Sequence, residues 1–252
     1  MKALRRVVQS KTLHGFFILL VIWELTHQLL HSNIVPNPIA TGVVFVRLMS
    51  QELLWHMGVS LLRIGVAIVI AMLIGIPLGL WTGSSKRADA VFSPVVYVLY
   101  PLPKIAFLPV FMLLFGLGNV SKIVLVVTII VFQILLGTRD GVKEIPKELH
   151  YAVKALGADQ WTMYRHLIIP AVLPKMISSL RISVGIGLSA LFFSENYAAS
   201  YGIGYFIMDA WAVMKYKEMF AGILALGIMS FLLFKAIDLL EKRFCSWMFI
   251  SQ

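Results

Sequence analysis

The chain has 252 residues, 60% of them hydrophobic and only 13% charged, with a formal net charge of +10. Soluble domains carry about a quarter charged residues, so this balance excludes a water-soluble domain and points to an integral membrane protein. The basic residues stand singly or in pairs between apolar runs, without a stripe interleaved with aromatics, which excludes the nucleic-acid footprint that such a charge can signal.

A hydrocarbon core about 30 Å thick takes roughly 20 apolar residues per helical span. The alternating strand pattern of a membrane barrel is absent, so the apolar runs predict an all-α integral membrane protein. The stretch MKALRRVVQSK precedes an apolar run from Leu13 to about Leu30. It has the shape of a secretory signal, but the run is long and no small-residue cleavage site follows, so it is expected to be an uncleaved first span over 13–31. In SNIVPNPIATG, Pro36 and Pro38 disfavour helix, and the stretch from there to Trp55 reads as a short surface helix. The second span is expected over 57–83. A third, over 91–115, is broken by YPLPKIAFLP, where Pro101, Pro103 and Pro109 fall close together. Broken helices survive in membranes where protein or an aqueous cavity covers the freed backbone, so this region suggests a lined path. Further spans are expected over 120–138, 168–193 and 219–240, about six in all, within a single permease-sized domain covering 1–252.

Lys and Arg set the orientation. With the N-terminus inside, the cytoplasmic segments hold Lys2, Arg5, Arg6, Lys11, Lys86, Arg87, Arg139, Lys143, Lys147, Lys154, Arg165, Lys242 and Arg243. The opposite face holds only Arg47, Lys122, Lys215 and Lys217. Both termini are therefore expected to be cytoplasmic.

The longest cytoplasmic segment covers 139–166. Pro146 suits a first helical turn, where its missing N–H costs nothing. Leu149, Ala152, Val153 and Leu156 follow at helical spacing, and Gly157 can end the helix in a left-handed cap. A second short helix through Trp161 and Tyr164 precedes Pro170 and Pro174, which are expected to open the fifth span. An amphipathic helix, a glycine hinge and another helix suit docking into a groove on a partner.

Here the sequence resembles the membrane-spanning permease subunits of binding-protein-dependent ABC importers. Their cytoplasmic signature is Glu-Ala-Ala, three residues, Gly, nine residues, then Ile-x-Leu-Pro. It is matched by Tyr151, Ala152, Val153, Gly157, Leu167, Ile169 and Pro170, with Tyr151 departing from the acidic first position. The stretches SLLRIGVAIVIAMLIGIPLGLWTG, PLPKIAFLPVFMLLFGLGNVSK and SENYAASYGIGYFI are similar to the branch that imports nitrate, taurine and alkanesulfonates.

The resemblance implies a type I ABC importer permease fold in the bacterial inner membrane. It also implies a homodimer with a second permease copy, two ATP-binding subunits beneath it, and an extracytoplasmic binding protein that delivers a small, anionic solute. A pyrimidine-type vitamin precursor is the alternative cargo. Tyr151 to Leu156, including Ala155, corresponds to the coupling helix seated in the ATPase. No G-x-x-x-x-G-K-[ST] loop occurs in the chain, so ATP and Mg are expected on the partner, with no cofactor and no catalytic residue here.

Five cations fall in or near spans. Lys175 and Lys235 are expected to snorkel to the headgroups. Lys104 and Arg181 are candidates for lining the path; otherwise Lys104 reaches an interface and Arg181 pairs with an acid such as Glu195 or with a helix carbonyl. Arg63 joins the candidate path residues. Glu195, close to Gly202 and Gly204, suits a hydrogen bond that holds a re-entrant turn. His27 and His31 share a helix face but lack a third ligand, so no metal site is expected. Trp55, Trp81, Trp211 and Trp247 read as interface anchors. The small residues of IGIPLG and SVGIGLSA allow close helix approach, either within the chain or across a two-fold interface. A secondary transporter acting alone calls for an internal repeat and a coupling acid, and an intramembrane hydrolase calls for a nucleophile with its base; neither pattern occurs.

Overall fold

Helix formation follows from the apolar runs, because each backbone N–H and C=O in lipid needs an internal partner. The computed structural model describes residues 2–32 and 34–249, and the side chains of 14–32 and 34–248. The charges of Lys2, Arg5, Arg6 and Lys11, on which part of the orientation argument rests, lie outside the described side chains. The elements are α1 (Lys2–Leu30), α2 (Pro38–Met49), α3 (Leu53–Ser84), α4 (Lys86–Leu99), α5 (Leu108–Phe115), α6 (Asn119–Lys143), α7 (Lys147–Ala155), α8 (Gln160–Met163), α9 (Ile169–Glu195), α10 (Ile203–Ala212) and α11 (Tyr216–Phe244).

Among the described residues, four helical stretches are long and apolar enough to cross a membrane: α3, α6, Gln160–Glu195 and α11. Helices α4 and α5, joined by a 3-10 turn over Lys104–Phe107, make a fifth if taken as one span bent by 81°. The described apolar part of α1, His14–Leu30, is shorter. The break between α4 and α5 is thus found where the prolines place it.

Three boundaries differ from expectation. Helix α2 starts on Pro38 itself, because Pro at the first helical position lacks only an N–H that is free anyway. The Asn37 side chain caps it by accepting from the N–H groups of Ile39 and Ala40 at 2.9 and 3.1 Å. Pro38 therefore opens the surface helix, which stops at Met49, and Trp55 belongs to α3. Nor do Pro170 and Pro174 open the fifth span. Helix runs continuously from Gln160 to Glu195, about 54 Å at the usual rise, far more than hydrocarbon requires. The Pro170 ring is accommodated by a widened π turn over Tyr164–Ile168, in which the Ile169 N–H bonds the Tyr164 carbonyl five residues back.

The central core packs α3, α6, α9 and α11 through Ile64, Ala71, Ile130, Ile134, Val184, Leu191 and Met229. Smaller clusters close the ends. Leu48, Leu53, Ile203, Phe206 and Ala221 lie at the end where α9 finishes, and Val142, Ile145, Ile168, Val172 and Met176 at the end carrying α7. Large apolar side chains such as Leu73, Tyr97, Leu113 and Leu232 stay exposed on the outside, as a lipid-facing surface requires.

Close approach of α3 and α6 depends on Gly75, Gly79 and Gly83, one face of α3 at a four-residue spacing. A β-carbon on Gly79 would lie 2.6 Å from Thr138 Cβ and 2.7 Å from the Leu135 carbonyl oxygen. Gly187 meets Ile130, Ile64 and Val126 in the same way. Gly75 and Gly79 of IGIPLG and Gly187 of SVGIGLSA thus serve packing within the chain. Gly79→Val is expected to push the two helices apart and destabilise the fold by about 1–3 kcal/mol or more. Thermal melting in detergent reads this directly, and an unchanged midpoint would contradict the contact.

Candidate functional site

Two regions gather the polar chemistry, one at each end of the bundle. At the α7 end, Pro146 occupies the position before the first helical turn. Helix α7 then carries Tyr151, Ala152, Val153 and Ala155 with none of its residues buried. Leu156 is 87% exposed and Tyr151 69%, so among the described residues these apolar groups are largely uncovered. Gly157 adopts φ +81°, the left-handed conformation that ends the helix, and its N–H bonds the Lys154 carbonyl at 3.0 Å. Asp159 caps α8 by accepting the Thr162 N–H at 2.9 Å. Leu167, Ile169 and Pro170 follow in and after the π turn, where buried Ile168 anchors the segment to the bundle.

The handle is braced from behind. Lys175 bonds Glu144 at 2.8 Å instead of snorkelling alone, and Lys143 bonds Asp89 at 2.6 Å, tying α4 to α6. Arg139 bonds Asp140 at 3.0 Å and the Ser93 hydroxyl at 3.1 Å. Cys245, just past α11, is buried, and burial pushes its thiol up, away from the reactive thiolate.

At the opposite end, α3 presents His56, Ser60 and Arg63 at helical spacing toward Glu195, the last residue of α9. Arg63 Nη1 pairs with Glu195 Oε1 at 2.7 Å, and both side chains are almost fully buried, at 5% and 1% exposure. The Ser60 hydroxyl donates to the same carboxylate at 2.7 Å and accepts the Ile203 N–H at 2.8 Å. Glu195 Oε2 accepts the Gly204 N–H at 2.8 Å. Arg63 also donates to the Tyr201 carbonyl at 2.8 Å, and through Nε and Nη2 to Asn119 Oδ1 at 2.9 and 2.7 Å. His56 Nδ1 lies 3.1 Å from the Gly202 nitrogen. Gly202 has φ +131°, and a β-carbon there would overlap the Glu195 carboxylate, so a side chain is excluded on two counts.

Lys122, wholly buried on α6, completes this cluster. Its Nζ donates to the carbonyls of Leu117 at 2.9 Å, and of Gly118 and Ala198 at 3.4 Å. Ala198 holds φ +46°, a strained conformation that this contact helps fix. Two buried cations thus staple the α5–α6 turn and the 196–204 turn to α3. Glu195 does hold its re-entrant turn by hydrogen bonds, as its position beside the two glycines indicates. The sequence does not single out His56, Ser60 or Asn119, and gives Lys122 only as a charge of the outer face, although the spacing of His56, Ser60 and Arg63 marks one polar face on an otherwise apolar helix.

Arg181 lies elsewhere. It bonds Asp238 at 2.8 Å and Glu241 at 2.7 Å, two acids one turn apart on α11. Pairing with Glu195 is overturned by distance, since fourteen residues along α9 separate them by about 21 Å. Lys104 folds back over the broken span. Its ammonium donates to the Leu99 and Tyr100 carbonyls at 3.1 and 2.9 Å and sits 4.8 Å from the Phe132 ring centroid. It therefore covers carbonyls left free at the end of α4.

Apolar helices long enough to cross a membrane, a bent helix pair and an exposed amphipathic helix at one end mark a polytopic membrane protein. The chain belongs to the family described as binding-protein-dependent transport system inner membrane component, whose model matches residues 75–248. It is 31% identical over 238 residues to the taurine transport system permease protein TauC of Escherichia coli (strain K12), covering 91% of this chain and 86% of that one. It is 28% identical over 233 residues to the putative aliphatic sulfonates transport permease protein SsuC of Bacillus subtilis (strain 168), covering 91% and 84%. It is 26% identical over 252 residues to the nitrate import permease protein NrtB of Leptolyngbya laminosa, covering 96% and 89%. The fold is shared with a chain of the MetNI methionine ABC transporter, with a TM-score of 0.64 at 18% identity over 78% of this chain and 97% of that one. The chain is thus a permease subunit of an ABC importer, in the nitrate, taurine and sulfonate branch.

Proposed function

We propose that two copies of this chain, each crossing a bacterial inner membrane six times with both termini in the cytosol, form the path for a small anionic solute. The solute class is that of a sulfonate, taurine or nitrate. A binding protein delivers it from outside, and two ATP-binding subunits, which hold the ATP and Mg, drive the cycle from inside. The observation that carries this reading is the exposed α7 with Gly157 behind it. An amphipathic helix with unpartnered Tyr151 and Leu156 needs a groove to cover it, and the cations Lys147, Lys154 and Arg165 beside it favour the cytosolic side. Six crossings follow if α1 and the bent α4–α5 pair each count as one. The α7 end is then inside, and the Arg63–Glu195 end outside.

In this reading Lys104, at the break, lines the path and draws the anion, Arg181, neutralised by Asp238 and Glu241, ties α9 to α11, and Arg63 and Glu195 hold the outer turn. A pyrimidine-type precursor is the second cargo, supported by 27% identity over 233 residues to the formylaminopyrimidine transport permease protein ThiX of Halalkalibacterium halodurans. Reconstitution in liposomes with the cognate ATPase and binding protein is expected to give ATP-dependent taurine or alkanesulfonate uptake, and uptake without any ATPase would sink the proposal. Lys104→Ala is expected to lower anion uptake several-fold while the complex still assembles, since one near-surface charge contributes on the order of 1 kcal/mol. Unchanged uptake would leave Lys104 as a helix cap alone.

A further inference from the structure

Cations are scarce at the outer face: the loops and helix ends there carry Arg47, Lys122, Lys215 and Lys217, of which Lys122 is buried at the start of α6. Three of these four line one cavity of about 550 Å³, although some 170 residues separate Arg47 from Lys215 and Lys217 in the chain. The cavity lies where the ends of α1, α2 and α11 meet, and the packing of α2 on α11 creates it. Lys215 pairs with Glu218 at 3.2 Å. That is the one acid in the lining, and Glu24 stands just behind it, accepting from Asn37 Nδ2 at 3.3 Å, so the rim keeps a net positive charge. Its wall is mixed: Val44, Met214 and Tyr216 supply apolar surface beside the cations, and His27 Nδ1 donates to the Val35 carbonyl at 2.7 Å. Met214 holds φ +58° in the tight turn that brings Lys215 and Lys217 to the rim. Next to the cavity, α1 leaves Leu25, Leu29 and Leu30 exposed, a surface suited to acyl chains.

We propose that this cavity holds the phosphate headgroup of an anionic phospholipid, which wedges α1 against the α2–α11 pair at the outer leaflet. A rim with excess positive charge beside a lipid-facing apolar wall matches a phosphodiester attached to acyl chains. The site lies on α1, α2 and α11, whereas the broken span packs on α3 and α6, so it is separate from the proposed path. The assignment rests on the outer placement of this end under the proposed topology.

The test uses the purified permease in detergent, stripped of lipid and titrated with short-chain phosphatidylglycerol or phosphatidylcholine, with retention read by native mass spectrometry. Preferential retention of phosphatidylglycerol is expected. Arg47→Gln with Lys217→Gln is expected to weaken it on the order of 10-fold. Ala40→Phe, which fills the cavity and leaves every charge in place, is expected to displace the lipid as well, and this guards against a folding defect in the double variant. Equal retention of the two lipids, or full retention by both variants, overturns the site. Inorganic phosphate is expected not to compete at millimolar concentration, and competition there would replace the lipid by a free anion. Labelling of Lys217→Cys in intact cells by an impermeant thiol reagent separates the two failures: if that label is absent, the topology falls, and if label is present without lipid preference, only the lipid site falls.

Discussion

Glu195→Gln is expected to lower the unfolding free energy by about 3–5 kcal/mol, the usual cost of breaking a buried ion pair from one side. The substitution preserves shape, so packing is not the cause. The carboxylate accepts from Arg63, Ser60 and the Gly204 N–H. An amide in its place must turn its NH2 toward either the guanidinium or the Gly204 N–H, setting donor against donor. It also leaves Arg63 and Lys122 as buried cations with no anion beside them. Arg63→Met is expected to cost a similar amount, because Glu195 would keep only Ser60 and Gly204. The double variant is expected to recover part of the loss, since neither charge is then stranded. A thermal-denaturation cycle in detergent measures the coupling. Strict additivity of the two single changes would show that the side chains do not meet. Because the same residues fix the 196–204 turn and the α5–α6 turn, both variants are expected to expose this end to proteolysis before the core melts.

How much of this was legible beforehand differs between local and long-range features. Run length and composition suffice for the crossing helices, because lipid leaves helix as the way to satisfy an apolar backbone without barrel periodicity. The break at Pro101 to Pro109 and the left-handed Gly157 are likewise local, since ring closure and a missing Cβ act on their own residues. Proline is a poor guide to a helix boundary where context accommodates the ring, as at Pro38 by its place in the first turn and at Pro170 by the π turn. The outer cluster was hidden for a different reason. Arg63, Asn119, Lys122 and Glu195 come from three segments up to 132 residues apart, and no spacing rule joins them. Partner choice for Arg181 failed in the same way. Glu195 is the acid nearest to Arg181 along the chain, whereas Asp238 and Glu241 read as ordinary charges near a helix end.

Loss of the α7 handle is expected to disconnect the motor while sparing the bundle. Deleting Ala152 to Leu156 removes side chains that contribute nothing to this chain's own core, so the melting temperature in detergent should hold. Co-purification with the ATPase, and stimulation of its hydrolysis, are expected to be lost. A finer probe is Leu156→Asp: at 87% exposure the residue has no intrachain packing to lose, yet an apolar anchor in a partner's groove commonly carries 2 kcal/mol or more. Complex formation is therefore expected to weaken at least ~30-fold. Gly157→Val acts through the backbone instead. The left-handed conformation costs a residue with a Cβ roughly 1–2 kcal/mol, and a β-branched side chain adds crowding, so the chain would leave α7 in a different direction. Uptake is expected to fall although the docking side chains remain, and ATP hydrolysis should persist without transport. If the deleted chain still binds and activates the ATPase, α7 is not the contact. If Gly157→Val transports normally, the direction in which α7 is presented does not matter, and force must enter the bundle through another element, of which the braced start of the 36-residue helix from Gln160 to Glu195 is the next to examine.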